Sequence, residues 1–222
     1  MIQESCCVYR YMWGKSEPYH PLIYHMIDAG NVANALLENS SAFCAIKALF
    51  MQNFAIDENY VTKIISFIIA CHDIGKCHPL FQKKSDIPAI VHLLAKKNLL
   101  MSGAPSREYH HEFFSGSWLS EYLNENYNVD EDISDFLGDV ISMHHQREFR
   151  YEQLEDNKID SNIDKWWKDQ RTKLLNEIRM IFEIDMFFLN EIKNKDEIGV
   201  LLTGITILCD WIASNTAYFP CI

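Results

Sequence analysis

The chain has 222 residues, 48% hydrophobic and 23% charged, a globular composition able to bury roughly 70% of the unfolded surface without disulfides. Its 20 Lys and Arg stand against 31 Asp and Glu, a net charge of −11. That excludes nucleic-acid binding by overall attraction and leaves phosphate contact to local basic patches or bound metal ions.

Helical periodicity dominates in chain order. A helix is predicted over 22–37, with Pro21 near its first turn. A second over 59–74 is buried on most sides, since Tyr60, Val61, Ile64, Ile65, Phe67, Ile68 and Ile69 leave few polar positions; Asp57 is placed to cap it. Further helices are predicted at 86–99, 108–126, 131–146, in one or two pieces over 161–193, and over 196–215. Loops are expected at 75–84, 101–107 and 149–160. No alternating pair of runs joined by a hairpin turn is evident, so the expectation is one all-α domain spanning 1–222.

The seven cysteines, at 6, 7, 44, 71, 77, 209 and 221, form no C-x-x-C pair, which argues against structural zinc and for reduced thiols. The N-terminal residues do not read as a signal peptide, and the longest apolar uncharged run, 198–209, is short of the ~20 residues that span a bilayer. The expectation is a cytoplasmic protein with no membrane partner.

Five features carry chemistry. His72-Asp73-Ile74-Gly75-Lys76 ends a buried helix. Its imidazole and carboxylate can converge on a divalent metal, the carboxylate can bridge two, and Lys76 can meet a phosphoryl oxygen. His144-His145 ends another helix, where adjacent imidazoles can share or bridge metals. Tyr109-His110-His111-Glu112 opens an amphipathic segment. His25 sits in an apolar helical pattern. Asp210, in an equally apolar one, needs a cation if buried. Each alone also has a plain reading as a capped, solvated or hydrogen-bonded residue. Together they supply the N and O ligands for two first-row metals, a set suited to phosphodiester hydrolysis.

With these residues in view, the sequence resembles the HD-superfamily nuclease domain of the type I CRISPR helicase–nuclease. The resemblance runs from Lys15-Ser16 through Tyr19-His20-Pro21-Leu22-Ile23-Tyr24-His25 with Asp28, the His-Asp-x-x-Lys segment with Phe81-Gln82, His111-Glu112 with Ser115, and His144-His145, to Asp210-Trp211-Ile212-Ala213-Ser214-Asn215. It implies that His25, His72, Asp73 and Asp210 hold one metal and that Asp73 bridges to a second on His111, His144 and His145. Lys76 is then set over the scissile phosphate. It implies cleavage of single-stranded DNA with Mn, Fe, Ni or Co (Mg being possible), alongside a CRISPR helicase and the RNA-guided surveillance complex. The family commonly has Gly after the His pair, where this chain has Gln146.

Gly14-Lys15-Ser16 has the ending of a phosphate-binding loop, but Tyr9 occupies the place of its first Gly. His20, His78, His92 and His110 have no place in the ligand series, and Cys71 and Cys209 read as core residues. Trp166-Trp167 fits an amphipathic helix with one Trp buried better than a base-stacking pair. Lys83, Lys84 and Arg147 follow metal motifs and are the best candidates for guiding a DNA backbone. Two other readings stay open: an HD phosphohydrolase acting on nucleotides or cyclic dinucleotides, and a docking module for the helicase or surveillance complex.

Overall fold

A computed structural model of the chain describes residues 7–84, 88–101, 109–146, 151–185 and 189–220. The helices are α1 (Leu22–Asn39), α2 (Cys44–Phe54), α3 (Glu58–Ala70), α4 (Pro79–Gln82), α5 (Pro88–Lys96), α6 (His111–Tyr127), α7 (Glu131–Ser142), α8 (Tyr151–Asp156), α9 (Ser161–Ile181) and α10 (Lys195–Ala213). Among the described residues the only sheet is a hairpin of β1 (Trp13–Ser16) and β2 (Tyr19–Pro21), paired antiparallel.

α3 is the axis of the core. Asp57 caps it by accepting a hydrogen bond from Tyr60 N at 3.0 Å, and Ile64, Ile65, Phe67, Ile68 and Ile69 are fully buried. α1 packs along it and also meets α10, while α6 pairs with α7. The α6–α7 crossing is close because glycines face each other. A Cβ on Gly116 would come within 2.5 Å of Gly138 O, and one on Gly138 within 2.6 Å of Gly116 O. Trp167, fully buried, donates from Nε1 to Leu99 O at 2.9 Å and ties α9 to the end of α5, while Trp166 is half-buried. Cys71 and Cys209 are buried in the core. A second, smaller apolar cluster of Trp13, Leu80, Phe81, Tyr109 and Phe114 joins the hairpin to α4 and α6.

The structure corrects several sequence-based boundaries, among them the helical reading over 161–193, which stops at Ile181. The hairpin was not expected; its strands of four and three residues are too short to show alternation. Helix α2 was passed over because few of its residues are buried and no side chain caps its start. The 75–84 stretch, expected as loop, contains α4, which begins at Pro79 with His78 as cap, its ring nitrogen accepting from Leu80 N at 3.0 Å. The 149–160 stretch contains α8. The expected loop at 101–107 falls, apart from Met101, outside the described residues. No helix among the described residues is long and apolar enough to cross a membrane.

Candidate metal centre

Two of the chemical dipeptides share one local device. α3 does not end at Gly75; it tightens at Cys71 into a 3-10 segment, Cys71–Lys76. α7 likewise ends at Ser142, short of the expected 131–146, and tightens into Met143–His145, so the His pair lies just beyond the α-helix. In each 3-10 turn the histidine reaches back three residues. His72 Nδ1 meets Ile69 O at 2.9 Å and His144 Nδ1 meets Ile141 O at 2.6 Å. A carbonyl only accepts, so each Nδ1 carries the hydrogen and each Nε2 keeps its lone pair.

Those lone pairs point into a shared centre. His72 Nε2 and His144 Nε2 are buried without a hydrogen-bond partner, and the two rings stand edge to face at 5.1 Å. Asp73, 1% exposed, faces both sides. Its Oδ1 is 2.9 Å from His111 Nε2 and 3.7 Å from His144 Nε2. Its Oδ2 is 3.1 Å from His25 Nε2 and 2.6 Å from Lys76 Nζ. Asp210 enters from α10, with Oδ1 3.2 Å from His25 Nε2 and 3.5 Å from His72 Nε2. His145 Nε2 lies 3.3 Å from His111 Nε2. All seven residues expected as ligands therefore converge, from α1, the two 3-10 turns, α6 and α10. Two groups within them have ligand atoms close enough to hold an ion each: His25, His72 and Asp73; and His111, His144 and His145.

The electrostatics suit a cation. Burial alone would raise the Asp73 and Asp210 carboxyls. Lys76, His72 and hydrogen bonds from His111 and His25 hold Asp73 well below the usual range, and His25 and His72 do the same for Asp210. Burial drives His144 well below its ordinary value, with His72 adding repulsion, and burial also lowers His111. Burial opposes the charged form of His72, but Asp73 and Asp210 outweigh it and raise its pKa. Ionised carboxylates beside the free Nε2 lone pairs of His72 and His144 are the donor set of a first-row divalent metal. Buried ring nitrogens whose other nitrogen is bound to a carbonyl are its usual companion. The residues fit such a metal.

The surroundings hold this set in place. Gly75 lies against the first turn of α6, where an added Cβ would be 1.9 Å from His111 O. Gly75 is thus a close-approach glycine rather than the helix terminator its position suggests. Gly75 N donates to Ser115 Oγ at 2.9 Å, and Tyr109 OH donates to Gly75 O at 2.6 Å. Gln82 accepts from Trp13 N at 3.1 Å and donates to Trp13 O at 3.0 Å and Lys76 O at 2.9 Å, which explains the Phe81-Gln82 pair. Sequence reasoning assigned no role to Gln82, Tyr109 or Ser115, because their partners are backbone atoms. His20, set aside as hydrogen-bonded, is buried with Nε2 3.0 Å from Asp28 Oδ2. His78 is buried with Nε2 on Asn157 O at 3.0 Å, and His92 is exposed.

The DNA-guiding candidates are less direct. Lys83 Nζ donates to Met101 O at 3.1 Å and Lys84 Nζ to Tyr109 O at 3.5 Å. Both therefore bind carbonyls flanking 102–108. Arg147 lies outside the described residues. Gln146 has φ 55° and ψ 32°, the left-handed region that glycine adopts without strain.

A family profile described as "Cas3, HD domain" matches residues 13–219. The CRISPR-associated nuclease/helicase Cas3 of Streptococcus thermophilus is 28% identical, over 95% of this chain and 25% of its own length. The CRISPR-associated endonuclease/helicase Cas3 of Thermus thermophilus is 25% identical, over 94% and 22%. The chain thus spans about a quarter of the length of these curated relatives. The solved Thermus thermophilus Cas3 HD domain, determined in the presence of Ni2+, superposes with a TM-score of 0.73 at 21% identity, covering 98% of this chain and 81% of that one.

Proposed function

The chain belongs to the Cas3 HD-domain family, and from that premise we propose that it is a metal-dependent nuclease that hydrolyses phosphodiester bonds of single-stranded DNA in CRISPR defence. The observation that carries the reading is the pair of buried, unpartnered Nε2 atoms on His72 and His144. Each ring is fixed by a backbone carbonyl, and both face the carboxylate of Asp73.

In this reading His25, His72, Asp73 and Asp210 would hold one divalent metal, and His111, His144 and His145 would hold a second together with Asp73. Mn, Fe, Ni or Co suits the mixed imidazole–carboxylate donors, with Mg a poorer match. When bound, the two metals supply Lewis acidity and an activated water for attack on phosphorus. The chain's own residues do the rest. The carbonyls of Ile69 and Ile141 keep two imidazoles in the ligating tautomer. Asp73 stays ionised against its burial because positive charge surrounds it. Lys76, anchored by Gly14 O at 3.4 Å and through Gln82 on its own carbonyl, holds an ammonium beside the centre. There it can meet a non-bridging phosphate oxygen. Lys83, Lys84 and Arg147 lead the backbone in, a local basic route on an acidic protein. The partners are a CRISPR helicase and the RNA-guided surveillance complex, in keeping with the nuclease/helicase relatives.

The test is degradation of circular single-stranded DNA, which requires an internal cut, by metal-stripped protein resupplied with manganese. Wild type should degrade it and Asp73→Ala should not. Intact DNA together with hydrolysis of deoxynucleoside triphosphates or cyclic dinucleotides would overturn the DNA reading in favour of a small-nucleotide phosphohydrolase.

A further inference from the structure

His111 differs from His72 and His144 in how its ring is backed. His72 and His144 each use the carbonyl three residues earlier in the same 3-10 turn. His111 is the first residue of α6. No helical turn precedes it, so no i−3 carbonyl of its own helix is available. The next side chain faces the ring instead: Glu112 Oε2 is 3.6 Å from His111 Nδ1, and Glu112 Oε1 is 3.3 Å from His110 Nδ1.

Glu112 is an unusual residue to find here. It is 1% exposed, and a carboxylate that deeply buried requires cationic or hydrogen-bonding neighbours. The ligand series makes no use of it. The ammonium of Lys84 is electrostatically coupled to it. The carboxylate thus lies nearest the His111 nitrogen that corresponds to the carbonyl-bound Nδ1 of the other two rings, at 3.6 Å.

We propose that Glu112 is a positioning residue for the second metal: its carboxylate accepts a hydrogen bond from Nδ1–H of His111, so that Nε2 is presented to the ion as a lone pair. This rests on the metal reading above and deepens it. When Nε2 ligates a metal, Nδ1 must carry the hydrogen, and Glu112 is the acceptor that the fold supplies. A carboxylate in this place also makes the imidazole a stronger ligand than a neutral acceptor does. The contact at 3.6 Å is longer than a hydrogen bond, and closure to about 2.8 Å on metal binding is part of the proposal.

The experiment is Co(II) titration of metal-free protein, followed by calorimetry and by the visible absorption of the bound ion. Wild type, Glu112→Gln and Glu112→Ala are compared, with far-UV circular dichroism as the check on folding. Wild type should take up two Co(II) per chain in two steps. Glu112→Gln keeps an acceptor but loses the charge, so it should weaken one step about tenfold. Glu112→Ala should weaken the same step up to about a hundredfold, and the other step should stay as in wild type. If Glu112→Ala does not fold, the isosteric Gln variant decides. Two wild-type binding steps in a folded Glu112→Gln protein would overturn the role of Glu112 while leaving the metal reading intact. A wild-type protein that takes up no Co(II) would overturn the metal reading and this role with it.

Discussion

His72 and His144 come from different helices, yet each binds the carbonyl three residues before it, and their rings meet edge to face at 5.1 Å. The relationship follows from one backbone change made twice. An α-helix that tightens to three residues per turn brings a side chain over the carbonyl at i−3. The rings are therefore aimed by main chain that the core of α3 and α7 holds rigid. Asp73, next in sequence to His72, completes the centre.

Removing the shared carboxylate tests that centre most severely. Asp73→Ala leaves Lys76 without its 2.6 Å partner and both sides of the site without their common ligand. Manganese-dependent cleavage should fall at least about a hundredfold, and bound metal, read by elemental analysis, should drop below that of wild type.

Gly75→Ala tests the packing that positions His111. The new methyl would lie 1.9 Å from His111 O, so α6 must move away from the 3-10 segment. The variant should lose about 3 kcal/mol of stability in urea unfolding, and metal uptake should weaken in the folded fraction. Unchanged stability would mean that the two segments are not in contact.

Gln146→Gly should act in the opposite direction. Gln146 sits at φ 55°, where a side chain costs about 1 kcal/mol that glycine does not. Glycine is also more flexible in the unfolded chain, so the net gain should be about 0.5 kcal/mol, measured as a raised denaturation midpoint with cleavage retained.

His78 makes stability depend on pH. Burial pushes its pKa from 6.5 down to about 3, against a hydrogen bond to Asn157 that favours the charged form. Between these values the unfolded chain binds a proton that the folded chain refuses. Its contribution is complete above pH 6.5 and is lost as pH falls toward 3. From pH 7 to pH 5 this one group should remove about 2 kcal/mol. His78→Gln, less stable at pH 7, should show a correspondingly shallower loss over that interval in urea titrations.

The fold and site differ in how far they could be read from residues alone. The run of isoleucines in α3 and the Asp57 cap are local signals, and the helix sits where they place it. The ligand candidates stood out because His, Asp and His-His interrupt or end apolar helices, a conflict that burial alone cannot resolve. The hairpin, α2 and α8 were not legible: each is short or shows little amphipathic pattern. The supports of the site were hidden for a different reason. Gln82, Tyr109 and Ser115 bond to backbone atoms of distant segments, and Gly75 matters because of what approaches it. Helix α6 made Glu112 the neighbour of two imidazoles by beginning at His111. None of these relationships has a signature in spacing.

One folded chain should hold two metals in the shared His/Asp centre. The most direct measurement is electron paramagnetic resonance of the protein loaded with Mn(II), with manganese counted per chain. Two Mn(II) per chain and a spin-coupled spectrum that collapses in Asp73→Ala are expected. One Mn(II) per chain with an uncoupled six-line spectrum, unchanged by Asp73→Ala, would mean that the His/Asp cluster is not a two-metal centre.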